Sequence, residues 1–363
     1  MNIFPPLQAL EHLDPARFET PAILKRLVSA HRALAEFKGV AASMPNQNIL
    51  ISTLGLQEAK DSSEIENIVT THDELFRETA QDAATSPAAK EVARYNRALR
   101  VGFEAVRGSG LLTGNHIVEI QSELEKNRAG LRKVPGTVLK NGAGDVVYTP
   151  PSPERLPQLM ADLERFINDD DLFAADPLVK TALIHHQFES IHPFYDGNGR
   201  AGRILNVLYL VKEGLLDTPV LYLSRAIVRS KADYYALLQG VRERDQWEQW
   251  VLYMLGAVER TATDGIAAIQ AIKSALMDYK HRIRDGYKFY SQDLINNLFS
   301  HPYTKIDFLQ RDLEVSRLTA TRYLDALVAG GLLRKLKIGR SNYYINEALY
   351  RILTGEAPPT GEP

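Results

Sequence analysis

Apolar residues recur at helical spacing along most of this 363-residue chain. In 21–37, Ile23, Leu24, Leu27, Ala30 and Leu34 share one face, and Pro21 suits a first turn. A short apolar segment, 46–54, precedes 57–69, a run of strong helix formers. Ser62 and Glu66 lie four apart there, so a helix puts them on one face; taken alone, the run reads as a solvated amphipathic helix. Residues 79–90 are small and polar, a linker pattern. Helical periodicity resumes in 88–108 and in 115–127, with Thr113 or Gly114 as N-cap of the second. It returns in 154–168, 177–190, 203–213, 232–241 and 247–272, and a charged stretch, 273–286, extends the last as a connector.

Twice the period changes. Residues 134–140 and 145–148 are β-rich and flank Asn141-Gly-Ala-Gly144, a hairpin signal, with Pro150, Pro151 and Pro153 stiffening the exit. A lone hairpin buries itself poorly. It packs flat on the helices or covers something as a flap. After 287, helices are expected at 292–299, 305–313 and 315–328, the last capped by Ser316. A hairpin follows, 332–337 with 342–345. Three helices and a hairpin are the winged helix-turn-helix pattern. The expected fold is mainly α, with a helical core and two small hairpins. The expected units are an N-terminal region 1–87, a core 88–260 with its hairpin at 136–148, a connector 261–286, a winged-helix domain 287–350 and a tail 351–363.

Composition changes this picture little. Hydrophobic residues are 45%, charged residues 24% and the formal net charge is −2, so any nucleic-acid contact needs a local patch. Cysteine is absent, which excludes disulfides, thiol catalysis and cysteine metal sites. No uninterrupted apolar run approaches the ~20 residues of a membrane span, and the N-terminus lacks the pattern of a signal peptide; a cytoplasmic location and no membrane partner are expected. The 287–350 segment carries nine Lys/Arg against six Asp/Glu. Arg317, Thr319, Thr321 and Arg322, with Arg334, Lys335, Lys337 and Arg340, supply donors of the kind a DNA reader uses. The excess is mild, and such a domain also serves dimerisation or protein docking.

The densest chemistry lies in residues 191–203, Ile-His-Pro-Phe-Tyr-Asp-Gly-Asn-Gly-Arg-Ala-Gly-Arg, between two apolar runs. Glycines permit close backbone approach, and a helix start favours anions. Arg200 and Arg203, three apart on that helix, can face one anion, and guanidinium binds phosphate in a fork. Asp196 suits Mg²⁺, a hard cation, and His192 suits a general base. Base, metal carboxylate and phosphate nest describe phosphoryl or nucleotidyl transfer. A metal set of His185, His186, His192 and Asp196 is the alternative, though adjacent His185 and His186 point ~100° apart on a helix.

Residues 192–203 match the Fic family signature, His-x-Phe-x-Asp/Glu-Gly-Asn-Gly-Arg-x-x-Arg, at every fixed position. The resemblance extends over about 88–260, with the hairpin where the family has its flap. It implies a protein adenylyltransferase that moves AMP from ATP to a protein hydroxyl, including its own. His192 would be the base and Asp196 the Mg²⁺ ligand, with Phe194 a buried anchor. Gly197, Asn198, Gly199, Arg200, Ala201 and Gly202 would form the phosphate cradle, Arg203 gripping the γ-phosphate side. Thr137, Val138, Leu139, Val147 and Tyr148 would hold the target segment by strand addition. Tyr234 and Tyr235 match an aromatic pair near the adenine, with core packing as their plainer role. Ser62-x-x-x-Glu66-Asn67 resembles the family's inhibitory motif, which implies that Glu66 pairs with Arg203 and holds the enzyme off. Removal of AMP, with Glu66 activating water, is a subsidiary expectation. A DNA-binding regulator whose core senses nucleotide is the alternative, and a homodimer is compatible with either.

Overall fold

The structure, a computed structural model, describes residues 7–80, 85–338 and 341–359. Expectations for residues 1–6, for 81–84 of the linker, for Gly339 and Arg340 and for 360–363 lie outside the described residues. Two 3-10 turns, Leu10–His12 and Pro15–Phe18, lead into α1 (Pro21–Ala42), which Thr20 caps by accepting from the Ile23 N–H. The segments expected separately at 46–54 and 57–69 form one helix, α2 (Gln47–Ile65). Buried residues run through it from Ile49 to Ile65, mostly apolar with Thr53, Gln57, Glu58, Ser62 and Ser63 among them, so the helix packs along its whole length. Gly55 sits inside it because a Cβ there would come within 2.5 Å of Asn96 Oδ1. The helix stops earlier than expected. Glu66 is its C-cap, and Asn67 turns left-handed at φ 63°, so Ser62 is helical and Glu66 hangs off the end.

The order continues with α3 (His72–Thr79), α4 (Pro87–Ser109) and α5 (Gly114–Glu125), then β1 (Leu139–Lys140) and β2 (Val146–Tyr148). Next come α6 (Leu156–Asn168), α7 (Pro177–Ile191), α8 (Asn198–Lys212), α9 (Leu223–Arg229), α10 (Lys231–Arg244) and α11 (Trp247–Gly286). Thr113 caps α5, taking the His116 N–H. The first hairpin is shorter than its β-rich sequence: Leu139 pairs with Tyr148 and Lys140 with Val146 across a bulge, leaving Thr137 and Val138 outside the strand. α8 begins at Asn198 rather than at 203, because the glycine-rich turn itself supplies the helix start.

The expected divisions are also redrawn. The 261–286 connector is the C-terminal part of the 40-residue α11. α1 lies along α11, and α2 packs on α4 and α9, so the N-terminal region is part of the bundle. α7 and α8 run through its centre with nearly every residue buried; Trp250 fixes α11 to α7 by donating to the Ala182 carbonyl at 2.8 Å.

Beyond α11 lie α12 (Gln292–Ser300), β3 (Tyr303–Thr304), α13 (Ile306–Leu313), α14 (Arg317–Ala329), β4 (Arg334–Ile338), β5 (Ser341–Ile345) and α15 (Glu347–Thr354). The three strands form an antiparallel sheet ordered β3-β5-β4. β4 and β5 follow α12, α13 and α14, in the order of three helices and a hairpin. This domain docks on α2 and α3: Phe76 packs on Tyr303 and Tyr350, and the Tyr303 hydroxyl meets Asp73 at 2.6 Å. No helix among the described residues is long and apolar enough to cross a membrane.

Candidate functional site

The site is the turn joining α7 to α8. His192 is the C-cap of α7, in the left-handed region at φ 48°, and its N–H closes on the Phe188 carbonyl. Arg132 clamps it: Nε donates to the His192 carbonyl at 2.9 Å, Nη2 to the Pro151 carbonyl, and the Arg132 N–H to the Pro193 carbonyl at 2.9 Å. Burial lowers the His192 pKa to about 4, helped by Arg242 and Arg132 and opposed by Glu66 and the Glu189 carbonyl. The imidazole is therefore neutral at pH 7 and able to accept a proton.

Asn198 holds the turn shut. Its Oδ1 accepts from the Phe194 N–H and its Nδ2 donates to the Phe194 carbonyl, both at 2.9 Å. That side chain is spent on the loop, leaving only the Asn198 N–H for an anion. Phe194 is fully buried against Phe188, as an anchor should be. Gly197 caps α8 at φ 78° without a side-chain bond to the helix. The first-turn N–H groups, which have no intrahelical acceptor, are thus left as an anion site. Gly199 is needed for a different reason: a Cβ there would collide with Glu66 Oε1. Ala201 and Gly202 are buried in the same turns.

The two arginines have different holders. Arg200 is 2% exposed and reaches Glu91 of α4 at 2.6 Å and Glu125 of α5 at 2.7 Å, with Asp196 at 3.8 Å. Arg203 is 1% exposed. Its Nε donates to Ser62 Oγ at 2.8 Å, and its Nη2 to the Ser62 carbonyl at 2.9 Å and Glu66 Oε1 at 2.8 Å. Burial alone would raise the Glu66 pKa, but Arg203, Arg200 and Lys231 outweigh it and hold the carboxylate below its usual range. Asn67 stands at the rim, its Oδ1 taking a bond from Lys231 at 3.0 Å.

Asp196 points outward with its side chain 78% exposed. Its Oδ1 accepts from the Gly197 N–H at 2.7 Å, and Gln121 holds its carbonyl at 3.2 Å. Among the described residues no group of three or more His, Cys, Asp or Glu is gathered for a metal. His185 bonds the Tyr234 hydroxyl and His186 packs on Trp247, both kept neutral by burial, so the four-residue metal set does not assemble. One exposed carboxylate beside an anion cradle does fit Mg²⁺, which takes one or two carboxylates together with substrate phosphates.

The tyrosine pair divides. Tyr234 is 1% exposed in a cluster with Trp250 and Tyr253, whereas Tyr235 is 45% exposed and lies in the field of Glu66 and Arg203. On the hairpin, Tyr148 is buried, donates to the Ser190 carbonyl at 3.0 Å and lies beneath Arg242. The Val147 carbonyl is taken by Gln239 at 2.8 Å. Tyr148 and Val147 therefore anchor the hairpin, while Val138 and Val146 are exposed and Leu139 is half-buried. Sequence reading missed Glu91, Glu125, Arg132 and Glu189. Each looks locally like a surface charge on a helix or loop, and only its place opposite the turn gives it a role. Glu189 is notable: burial raises its pKa to about 7 against the pull of Arg203, and its Oε1 has no hydrogen-bond partner.

Fold and site together define a helical bundle that presents a neutral histidine and an anion cradle, with one cradle arginine occupied by a carboxylate from α2. Three family profiles match the chain: the Fic/DOC family N-terminal region over 24–104, the Fic/DOC family over 111–210, and the C-terminal domain of SoFic-like protein adenylyltransferase over 276–349. The chain belongs to the Fic/DOC family. It is similar to protein adenylyltransferase fic-1 of Caenorhabditis briggsae, 36% identical over 91 residues, covering 25% of this chain and 17% of that one. A probable protein adenylyltransferase of Aquifex aeolicus is 32% identical over 169 residues, covering 44% of this chain and 49% of the relative. The chain thus spans about half, or less, of these curated relatives. Among solved structures, a Fic family protein from Desulfovibrio desulfuricans shares the fold at a TM-score of 0.59 and 21% identity, over 90% of this chain and 96% of that one.

Proposed function

We propose that this protein is an adenylyltransferase that moves AMP from ATP to a hydroxyl of a protein, itself included, and that Glu66 restrains it. The observation that carries the reading is the neutral His192 held against the open first turn of α8. In the reaction His192 takes the proton of the acceptor hydroxyl, whose oxygen attacks the α-phosphorus of ATP; diphosphate leaves and AMP stays on the acceptor. N–H groups from Asn198 to Arg200 receive phosphate oxygens, and Arg203, once released, faces the γ-phosphate. Asp196 would hold Mg²⁺, which when bound neutralises phosphate charge. The outer edge of β1 and the exposed Val138 offer the acceptor a strand to pair with. Tyr235, exposed where Tyr234 is buried, would be the one to meet the adenine.

Glu66 occupies the hydrogen bonds that Arg203 would give to phosphate, and adds a negative charge where phosphates must sit. The relatives named as protein adenylyltransferases, and the C-terminal match to a domain of such enzymes, favour this reading over a nucleotide-sensing DNA-binding regulator. The test is intact-mass analysis of wild type and Glu66→Gly, each incubated with single nucleoside triphosphates and Mg²⁺. Glu66→Gly is expected to gain about 329 Da, the mass an AMP group adds on esterification, with ATP alone, and wild type to gain far less. Equal labelling of the two proteins sinks the restraint; no labelling of either sinks the transferase reading.

A further inference from the structure

Glu66 is not the only acid on the inner side of α2. Two turns before it lies Glu58, 2% exposed. Positions 58, 62 and 66 follow helical spacing, which aligns Glu58 with Ser62. Among the described residues no ion pair involves Glu58. Its carboxylate is held by hydrogen bonds instead: from the Tyr95 hydroxyl of α4 at 3.0 Å, from the Ser224 N–H of α9 at 3.1 Å and from the Ser224 hydroxyl. Such a group is costly to bury unless every acceptor is served.

These bonds connect to the restraint. Tyr95, also fully buried, lies close enough to Ser62 to feel it, and Ser62 Oγ accepts from Arg203 Nε. The donor directions agree at both ends. Arg203 has only donors, so Ser62 accepts from it. Tyr95 turns its proton to Glu58, which has only acceptors when ionised. Burial pushes the Glu58 pKa up to about 7 against the bonds from Ser224 and Tyr95, and when the group is ionised those bonds are charge-assisted. Swinging the Glu66 side chain away removes one of the three contacts α2 makes to Arg203; the two Ser62 oxygens stay until α2 itself shifts.

We infer that Glu58 is a positioning residue of the restraint, the terminal acceptor that seats α2 on α4 and α9 and so keeps Ser62 and Glu66 on Arg203. The inference rests on the reading of Glu66 given above and adds a second element to it, remote from the nucleotide.

The test uses the full chain with Glu58→Gln or Tyr95→Phe, each on wild-type and Glu66→Gly backgrounds. Self-labelling with ATP and Mg²⁺ is followed by intact mass, alongside circular dichroism and thermal melting. Glutamine keeps the volume but turns an acceptor into a donor facing donors. Glu58→Gln is expected to speed labelling about tenfold on the wild-type background, the shift that losing a buried charge-assisted hydrogen bond produces. Tyr95→Phe should give a smaller rise in the same direction, and neither should add to Glu66→Gly. A role confined to stability would instead lower labelling on both backgrounds. If Glu66→Gly labels fast while folded Glu58→Gln stays at the wild-type rate, the inference is overturned. Should Glu58→Gln not fold, Ser224→Ala, which keeps the N–H bond, replaces it under the same criterion. Failure of Glu66→Gly itself to label faster overturns the restraint, and this inference with it.

Discussion

The turn at 192–203 and the hairpin at 137–148 are built in opposite ways. In the turn, backbone and side chains are fixed by fully buried partners: Asn198 on Phe194, Arg132 on His192 and Pro193, Gln121 on Asp196. The hairpin is secured at its base by Tyr148 and Val147, and its tip closes only on itself, Asn141 Oδ1 taking the Ala143 and Asp145 N–H groups. Between base and tip its side chains face solvent. Bond-making atoms must be held within fractions of an ångström, whereas strand addition reads mostly backbone and tolerates varied side chains. The contrast teaches where this molecule has spent its rigidity.

The largest test of that contrast is His192→Ala on the Glu66→Gly background. Self-labelling is expected to fall by ~10² or more, the usual worth of a general base, with the melting temperature little changed. Next, Asn198→Ala removes both bonds that close the turn. It should cost about 2 kcal/mol in denaturant unfolding and depress labelling as well, since the cradle N–H groups lose their fixed direction.

A third test uses pH. The His192 pKa of about 4 lies below the ordinary 6.5. Between those values the unfolded chain takes up a proton that the folded chain refuses. His192 thus lowers stability as pH falls through that window, while it remains an unprotonated base. Labelling by Glu66→Gly should therefore stay level down to about pH 5; because Glu66 raises the His192 pKa, its removal moves the acid limb lower still. A limb centred near the ordinary histidine value would contradict the buried, neutral imidazole. The smallest effect on the fold belongs to the hairpin. Val146→Glu should change stability by less than about 0.5 kcal/mol and leave ATP binding by calorimetry intact, while labelling of added proteins falls relative to wild type.

Local pattern made much of the fold legible. The periodicity of α1, α4, α5, α6, α7 and α10 is visible in the chain, as are the caps Thr113 and Ser316 and the helix-and-hairpin order after 287. What went unread has tertiary causes. α2 is one helix because residues from Ile49 to Ile65 bury against two other helices, which joins the two runs that local pattern separated. α11 is continuous because its charged second half still presents Ile269, Ile272, Leu276 and Ile283 to neighbours. α3 and α15 are eight residues each, too short for periodicity to mark, and they form by packing Phe76 against Tyr303 and Tyr350.

The sequence by itself determined the chemistry available at the turn. A histidine, a carboxylate, a glycine-rich helix start and two arginines at fixed spacing are local facts, and local spacing suffices to bring them together. Only the tertiary structure decided how that chemistry is distributed. It gave Arg200 to Glu91 and Glu125, gave Arg203 to Ser62 and Glu66, buried Tyr234 and left Tyr235 at the surface. It also drew Glu58, Tyr95 and Ser224 into one buried network. The reason is that burial sets the worth of each charge and hydrogen bond, and burial belongs to the packed helices together, which no single stretch of chain carries.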